Sequence, residues 1–228
     1  MSKVKWEAAA PKAKVLIVDD HPVVREGLAM HLATQPDLEV CGEAEDLPGA
    51  LALLASAQPD VAIIDISLKN SNGLELIRRI RSRGEGVRIL VWSMYPENLY
   101  AERALRAGAQ GFLNKGQATH HVLEAVRAIL QGRVYVSAEL ANQLLHRAVG
   151  QKTWEGSLID SLSDRELEVF QLLGEGLTTE SIAEKMHVSP KTVETFRVRI
   201  KEKLGINTLP NLIQRAAQWV VESQHRRD

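Results

Sequence analysis

The sequence predicts an α/β domain, a doubly wound parallel five-stranded sheet, followed by a C-terminal all-α domain of four helices. Three observations carry this prediction. Between residues 14 and 131, short apolar runs alternate with amphipathic helical stretches. From Ser157 onward the strand signal vanishes. The remaining chain is divided by Gly, Pro and helix-cap signals into four helical segments.

The apolar runs are Val15–Val18, Leu38–Cys41, Val61–Ile64, Ile89–Trp92 and Gly111–Leu113. Each is continuously apolar rather than alternating, which fits strands covered on both faces, as in a parallel sheet. Between them, Pro22–Ala33 puts Val23, Val24, Leu28 and Leu32 on one side of a helix, and Gly73–Ile80 does the same with Leu74, Ile77 and Ile80. Five such βα repeats make a doubly wound domain, whose functional groups gather at the carboxyl ends of the strands.

In the second half, Ser163-Asp-Arg-Glu166 is a capping box opening a helix through Leu173, with Gly174 and Gly176 as its stop. Thr178 or Thr179 caps a second helix carrying Ile182, Ala183 and Met186. Ser189-Pro190 starts a third, as N-cap and first helical residue, and Gly205 ends it. Thr208-Leu-Pro210 opens a fourth that runs to about Glu222. The expected organisation is an N-terminal tail (1–13), an α/β domain (14–135), a linker (136–157) with a helical part at Ala138–Ala148, and the all-α domain (158–228).

Composition narrows the class. The chain has 228 residues, 45% hydrophobic and 25% charged, an ordinary globular mixture. It contains no apolar run long enough to span a bilayer and no signal-peptide core, so a cytoplasmic location without membrane contact is expected. The single cysteine, Cys41, excludes an intrachain disulfide and a cysteine-based zinc site; inside a strand it reads as a buried, inert thiol. Net charge is −1, so any nucleic-acid binding must rest on local positive charge.

Chemistry-bearing residues follow the strands. Asp19 and Asp20 follow the first, Asp65 the third, Ser93 the fourth and Lys115 the fifth. In a doubly wound sheet these positions meet at one edge. Three carboxylates there would repel one another unless a hard divalent cation were bound, and Mg²⁺ suits carboxylate and phosphate oxygens. A lysine and a hydroxyl complement phosphate. The set therefore reads as a phosphoryl-transfer site with Asp65 as nucleophile.

Residues 14–131 resemble a CheY-like receiver domain through VLIVDDHPVVREGL, DVAIIDISLKNSNGLEL, VRILVWSM and GAQGFLNKG. The resemblance implies Mg²⁺ held by Asp19, Asp20, Asp65 and the Ser67 backbone carbonyl. It also implies Ser93 and Phe112 as a switch pair, with Ser93 turning toward the phosphoryl group and Phe112 moving inward on phosphorylation. Lys69 stands where such receivers often have a proline, a departure expected to loosen the loop after Asp65.

The third C-terminal helix supplies the local charge. Val193, Phe196, Ile200 and Leu204 recur at core spacing, while Lys191, Glu194, Thr195 and Val198 face outward. Lys191, Arg197, Arg199, Lys201 and Lys203 outnumber Glu194 and Glu202 between residues 189 and 203, which suits a helix entering the major groove. The stretch LSDRELEVFQLLGEGLTTESIAEKMHVSPKTVETFRVRIKEKLGI resembles the LuxR-type helix-turn-helix domain of NarL/FixJ-class response regulators. This implies a scaffold helix at Ile182–Met186 and a recognition helix at Ser189–Leu204. Glu194, Thr195 and Val198 would then approach base edges, and Ser189, Lys191, Thr192, Arg197, Arg199 and Lys201 the duplex around them. Phe196 stands where many relatives have histidine and is expected to pack.

Together these readings describe a two-component response regulator whose phosphorylation at Asp65 switches sequence-specific binding to double-stranded DNA. The implied partners are a sensor histidine kinase or a small acyl phosphate as donor, and a second copy of the chain through the last helix. The only catalysis expected is the receiver's own phosphoryl transfer and dephosphorylation. A DNA-binding regulator working without phosphorylation and a Mg²⁺-dependent phosphohydrolase remain the alternatives at this point.

Overall fold

The computed structural model describes residues 11–148 and 158–225. Most of the tail, and residues 149–157 of the expected linker, lie outside this range. In chain order the first half comprises β1 (Ala13–Val18), α1 (Pro22–Ala33), β2 (Leu38–Ala44), α2 (Leu47–Ala57), β3 (Val61–Ile64), β4 (Ser67–Leu68), β5 (Ser71–Asn72), α3 (Gly73–Ser82), β6 (Arg88–Ser93), α4 (Glu97–Ala107), β7 (Gly111–Asn114), α5 (His120–Leu130) and α6 (Ala138–Ala148). The main sheet has the order β2-β1-β3-β6-β7, with every pairing parallel. β1, β3 and β6 are its centre, and Leu16, Ile17, Ala62, Ile63, Ile64, Leu90 and Val91 are almost wholly buried. Both faces are covered, which is why these strands need continuous apolar runs rather than alternation.

The register fixes the site. Val18 pairs with Ile64, and Ile64 with Val91, so β1 and β3 end level with each other. The next residues in each, Asp19 and Asp65, therefore emerge side by side. At the opposite edge Ser93 pairs with Asn114, which puts Lys115 beside Ser93, and the Lys115 amide donates to the Ser93 carbonyl at 2.9 Å.

Two expectations about local structure are corrected. Cys41 is half-buried rather than buried, because β2 is an edge strand and the β1–β2 register shifts next to Cys41 (Val15 with Val40, then Leu16 with Gly42). The segment after Asp65 is not loosened by Lys69. It forms the small antiparallel hairpin β4–β5, turning at Asn70 (φ 57°), and Lys69 ties it to the β2–α2 turn through Glu45 at 2.8 Å. Gly73 then lets α3 start directly against the end of β3, since a Cβ there would lie 2.0 Å from the Asp65 carbonyl oxygen.

Behind α5 the chain returns beside β7, where the Tyr135 carbonyl accepts the Phe112 amide at 2.9 Å. α6, read from sequence as part of a linker, packs on the first domain. Leu140 is buried, Val136 and Leu144 join the core, and the Ser137 amide donates to Glu97 of α4.

The second half consists of a 3-10 turn (Ile159–Ser161), α7 (Asp164–Gly174), α8 (Thr179–Lys185), α9 (Pro190–Leu204) and α10 (Leu209–His225). The caps lie where the sequence places them. Ser163 and Glu166 form the capping box, Thr178 accepts from the Ser181 amide, Ser189 accepts from the Thr192 amide, and Gly205 ends α9 at φ 65°. Gly176 (φ 85°) turns the chain after α7, but Gly174 has a different task from stopping the helix. A Cβ on it would lie 2.5 Å from the Ala216 carbonyl oxygen, so it allows α10 to lie against α7. Phe170 and Trp219 meet across the same contact at 5.4 Å.

Glu166 is also load-sensitive to pH. It is only 3% exposed, accepts the Ser163 amide at 2.7 Å and pairs with Lys203 at 2.5 Å. Burial pushes its carboxyl up, but Lys203 and the Ser163 cap outweigh this and hold it below its ordinary 4.5. A depressed folded value means stabilisation that is complete above that ordinary value and lost as pH falls through the folded one. Glu166→Ala is expected to cost ~1–2 kcal/mol at neutral pH and less in acid. Urea denaturation at neutral and acidic pH checks this; an equal loss at both would contradict the ionic origin.

Candidate functional site

At the carboxyl edge of the sheet Asp19 (2% exposed) and Asp65 (4% exposed) are buried against each other. Lys115 spans them, its Nζ 2.5 Å from Asp19 Oδ2 and 2.6 Å from Asp65 Oδ2. Ser93 Oγ donates to the other Asp65 oxygen at 2.5 Å, and the Ser67 amide lies 3.4 Å from it. Arg25 anchors the Asp19 carbonyl at 2.6 Å, and the His21 amide donates to Asp19 Oδ1 at 2.9 Å. Burial raises the Asp65 carboxyl above its ordinary range and Asp19 adds to this, while Lys115 opposes it without cancelling it. Burial alone would lower Lys115, but the two carboxylates outweigh it and hold the ammonium charged. The resulting group is a poised carboxylate with a counter-charge and a hydroxyl within hydrogen-bond reach.

Asp20 adds the feature that points to a cation. Its Oδ1 is buried and accepts no hydrogen bond among the described residues; the His21 ring approaches it to 2.7 Å without hydrogen-bond geometry. Ligand atoms of Asp19, Asp20, His21 and Asp65 lie within 4.8 Å of one another. A carboxylate oxygen left unsatisfied in such company suits a divalent ion, so the residues fit Mg²⁺ chemically.

Phe112 is 1% exposed, and Ser93 already points at Asp65. The physical reason for the serine is plain: Asp65 is buried and its carboxylate takes the donors at hand.

On α9, Val193 and Ile200 are buried, and Phe196 and Leu204 are half-buried against the core. Lys191, Glu194, Thr195, Val198 and Arg199 are exposed, with Val198 at 49%; Thr192 and Lys201 are half-buried, and Ser189 is the exposed N-cap. Arg197 is half-buried and donates to Thr179 of α8 at 2.7 Å, so it braces the two helices. Lys203 is committed to Glu166 and the Ser161 carbonyl.

Sequence reasoning missed a set of residues that join the two domains. The Tyr95 hydroxyl, two residues past Ser93, donates to Glu168 of α7 at 2.5 Å. Glu168 is 1% exposed and also pairs with Arg165 at 3.0 Å. Arg103 of α4 donates to the Leu162 carbonyl at 2.8 Å and pairs with Asp164, which also meets Arg78 of α3. His187, in the turn between α8 and α9, brings Nε2 to 3.3 Å from Asp20 Oδ2. The one sequence signal was Glu168 itself, an acid inside the apolar stretch LEVF.

Comparison with known proteins agrees with both halves. Residues 15–127 match the response regulator receiver domain and residues 160–216 the bacterial regulatory proteins of the luxR family. The transcription regulator BvgA of Bordetella pertussis is 36% identical over 203 residues, covering 89% of this chain and 96% of BvgA. The response regulator GacA of Pseudomonas aeruginosa is 34% identical, covering 86% of this chain and 91% of GacA. Among solved structures, RcsB of Salmonella enterica serovar Typhimurium, bound to the rprA promoter in the presence of the phosphomimetic BeF3⁻, is similar at TM-score 0.59 and 27% identity, over 90% of this chain and 98% of that one. With a receiver half that presents an acidic pocket and a LuxR-type half that presents a basic helix, the chain belongs to the two-component response regulators that bind DNA and regulate transcription.

Proposed function

We propose that Asp65 is the phosphoacceptor and that its phosphorylation controls DNA binding by α9. The observation that supports this most is the convergence of Lys115 and Ser93 on the two Asp65 oxygens, beside Asp19 and Asp20. In the transfer, an Asp65 carboxylate oxygen forms the new bond to phosphorus. The bond to the donor breaks, and the donor leaves with its electron pair. Lys115 sits where it meets charge gathering on the phosphoryl oxygens, and Ser93 donates to one of them. Mg²⁺, held by Asp19, Asp20, Asp65 and the Ser67 carbonyl, would supply further neutralisation of that charge. The donor is a sensor histidine kinase or a small acyl phosphate. Incubation with such a donor, followed by peptide mass analysis, should place one phosphoryl group on the peptide containing Asp65. A group found elsewhere, or none, would overturn the assignment.

The docked arrangement is the resting state in this reading. The inputs are a phosphoryl group on Asp65 and a cation at Asp20, which act where His187 meets Asp20 and where Tyr95 of the receiver meets Glu168 of α7. Release would free the second domain to dimerise through α10, where Ile213 is exposed, and to read two half-sites.

On DNA, Lys191, Arg199 and Lys201 serve phosphates, while Glu194, Thr195 and Val198 face base edges. Since Arg197 braces α8, its truncation mixes stability with binding, and Arg199 and Lys201 are the cleaner probes. Each alanine substitution should weaken binding across all sequences and reduce the slope of log K against log salt by about 1. An unchanged salt slope would remove these residues from the interface.

A further inference from the structure

We infer that His120, His121 and Glu124 form a second cation site, suited to a transition-metal ion of the zinc, nickel or copper type. These residues open α5 and take no part in phosphoryl transfer or DNA binding. Two consecutive imidazoles stand on the first turn, and Glu124 lies four and three residues further on, so it is the helical neighbour of both. The imidazole rings lie 4.2 Å apart, and His121 Nδ1 is 3.2 Å from Glu124 Oε2. One ligand atom from each of the three lies within 4.8 Å of the others.

Bonds of about 2.0–2.2 Å to nitrogen and oxygen place the ligand atoms of one ion roughly 3–3.5 Å apart. The His121–Glu124 pair already has that spacing. His120 is exposed, so a rotation of its side chain brings in the third donor. The open side leaves room for water to complete the coordination sphere.

The donor set decides the ion. Two imidazoles and one carboxylate suit zinc, nickel or copper, whereas Mg²⁺ prefers an all-oxygen shell of carboxylate, phosphate and water. The chain thus has two kinds of cation site, an oxygen-rich pocket around Asp65 and a nitrogen-rich one at α5. They are joined through a short segment, since His120 lies five residues past Lys115. An ion at α5 would close the first turn of the helix that directly follows the phosphate-binding lysine.

The test is titration of the full-length protein with Zn²⁺ by calorimetry and with Cu²⁺ by electron paramagnetic resonance, both in excess Mg²⁺. One ion should bind with nitrogen hyperfine structure from two imidazoles. His120→Ala and His121→Ala should each weaken it by at least about tenfold. Asp65→Asn and His21→Ala should leave it unchanged, and Zn²⁺ should raise the thermal midpoint of wild type and of these two variants but not of the His120→Ala/His121→Ala double variant. Wild-type affinity in the His120→Ala/His121→Ala double variant would overturn the site, as would loss of the ion in Asp65→Asn or His21→Ala. Because the three residues are exposed or half-buried at the surface, the variants are expected to fold.

Discussion

Asp65→Asn is expected to abolish phosphoryl incorporation from any donor while leaving the fold intact. An amide has the shape of the carboxylate, and its one carbonyl oxygen can accept from Lys115 while its NH2 donates to the Ser93 hydroxyl oxygen, but it offers no anionic oxygen to attack phosphorus. The substitution also removes a buried carboxylate whose charged form burial disfavours. The variant should therefore melt no earlier than wild type, with Lys115 retaining Asp19 as its partner. Lys115→Ala should retain the nucleophile but lose the counter-charge, slowing transfer by about a hundredfold or more, as loss of a preorganised electrostatic partner does. Radiolabel transferred from an acyl phosphate distinguishes the three proteins. Comparable label on Asp65→Asn would place the acceptor elsewhere.

The second large effect is expected from a single oxygen. Tyr95→Phe removes the hydroxyl that donates to Glu168 and leaves a buried carboxylate one partner short. A lost hydrogen bond to a buried charge costs ~1–3 kcal/mol, which shifts the balance between docked and released domains by roughly fivefold to 150-fold. The released state of the variant should therefore be more populated than that of wild type by that factor, without phosphorylation. Amide hydrogen exchange would show it as faster exchange in residues 162–172 and 95–104 together. The folds on either side do not depend on the bond, because the ring of Tyr95 still packs on Tyr100 at 4.6 Å. Protection unchanged in both segments would mean that Tyr95 does not hold the domains together.

Much of this was legible in the sequence, for identifiable reasons. Strands buried on both faces leave unbroken apolar runs, and parallel winding fixes which strand ends meet, so Asp19, Asp65, Ser93 and Lys115 could be grouped without coordinates. Capping is a local chemistry, and Ser163, Thr178 and Ser189 announce their helices within four residues. What failed was what depends on neighbours distant in the chain. Cys41 lies on an edge strand beside a register shift, which no local pattern reveals. Gly174 looks like a helix stop until α10 is seen lying against it. The bond from Arg197 to Thr179, which braces α8 and α9, was equally invisible in the local pattern. The domain interface was hidden most completely, because Tyr95, Arg103, Asp164 and His187 are each ordinary polar residues and acquire meaning only when paired.

The central claim, that phosphorylation of Asp65 governs DNA binding by α9, is tested most directly by measuring one affinity in three states. DNA duplexes selected from a random pool by the phosphorylated protein would be titrated with phosphorylated wild type, unphosphorylated wild type and Asp65→Asn treated with the same donor. The phosphorylated protein should bind at least about tenfold more tightly than either of the others, which should match each other. Equal affinity in all three states would contradict the account, leaving a DNA-binding protein whose acidic pocket controls something else.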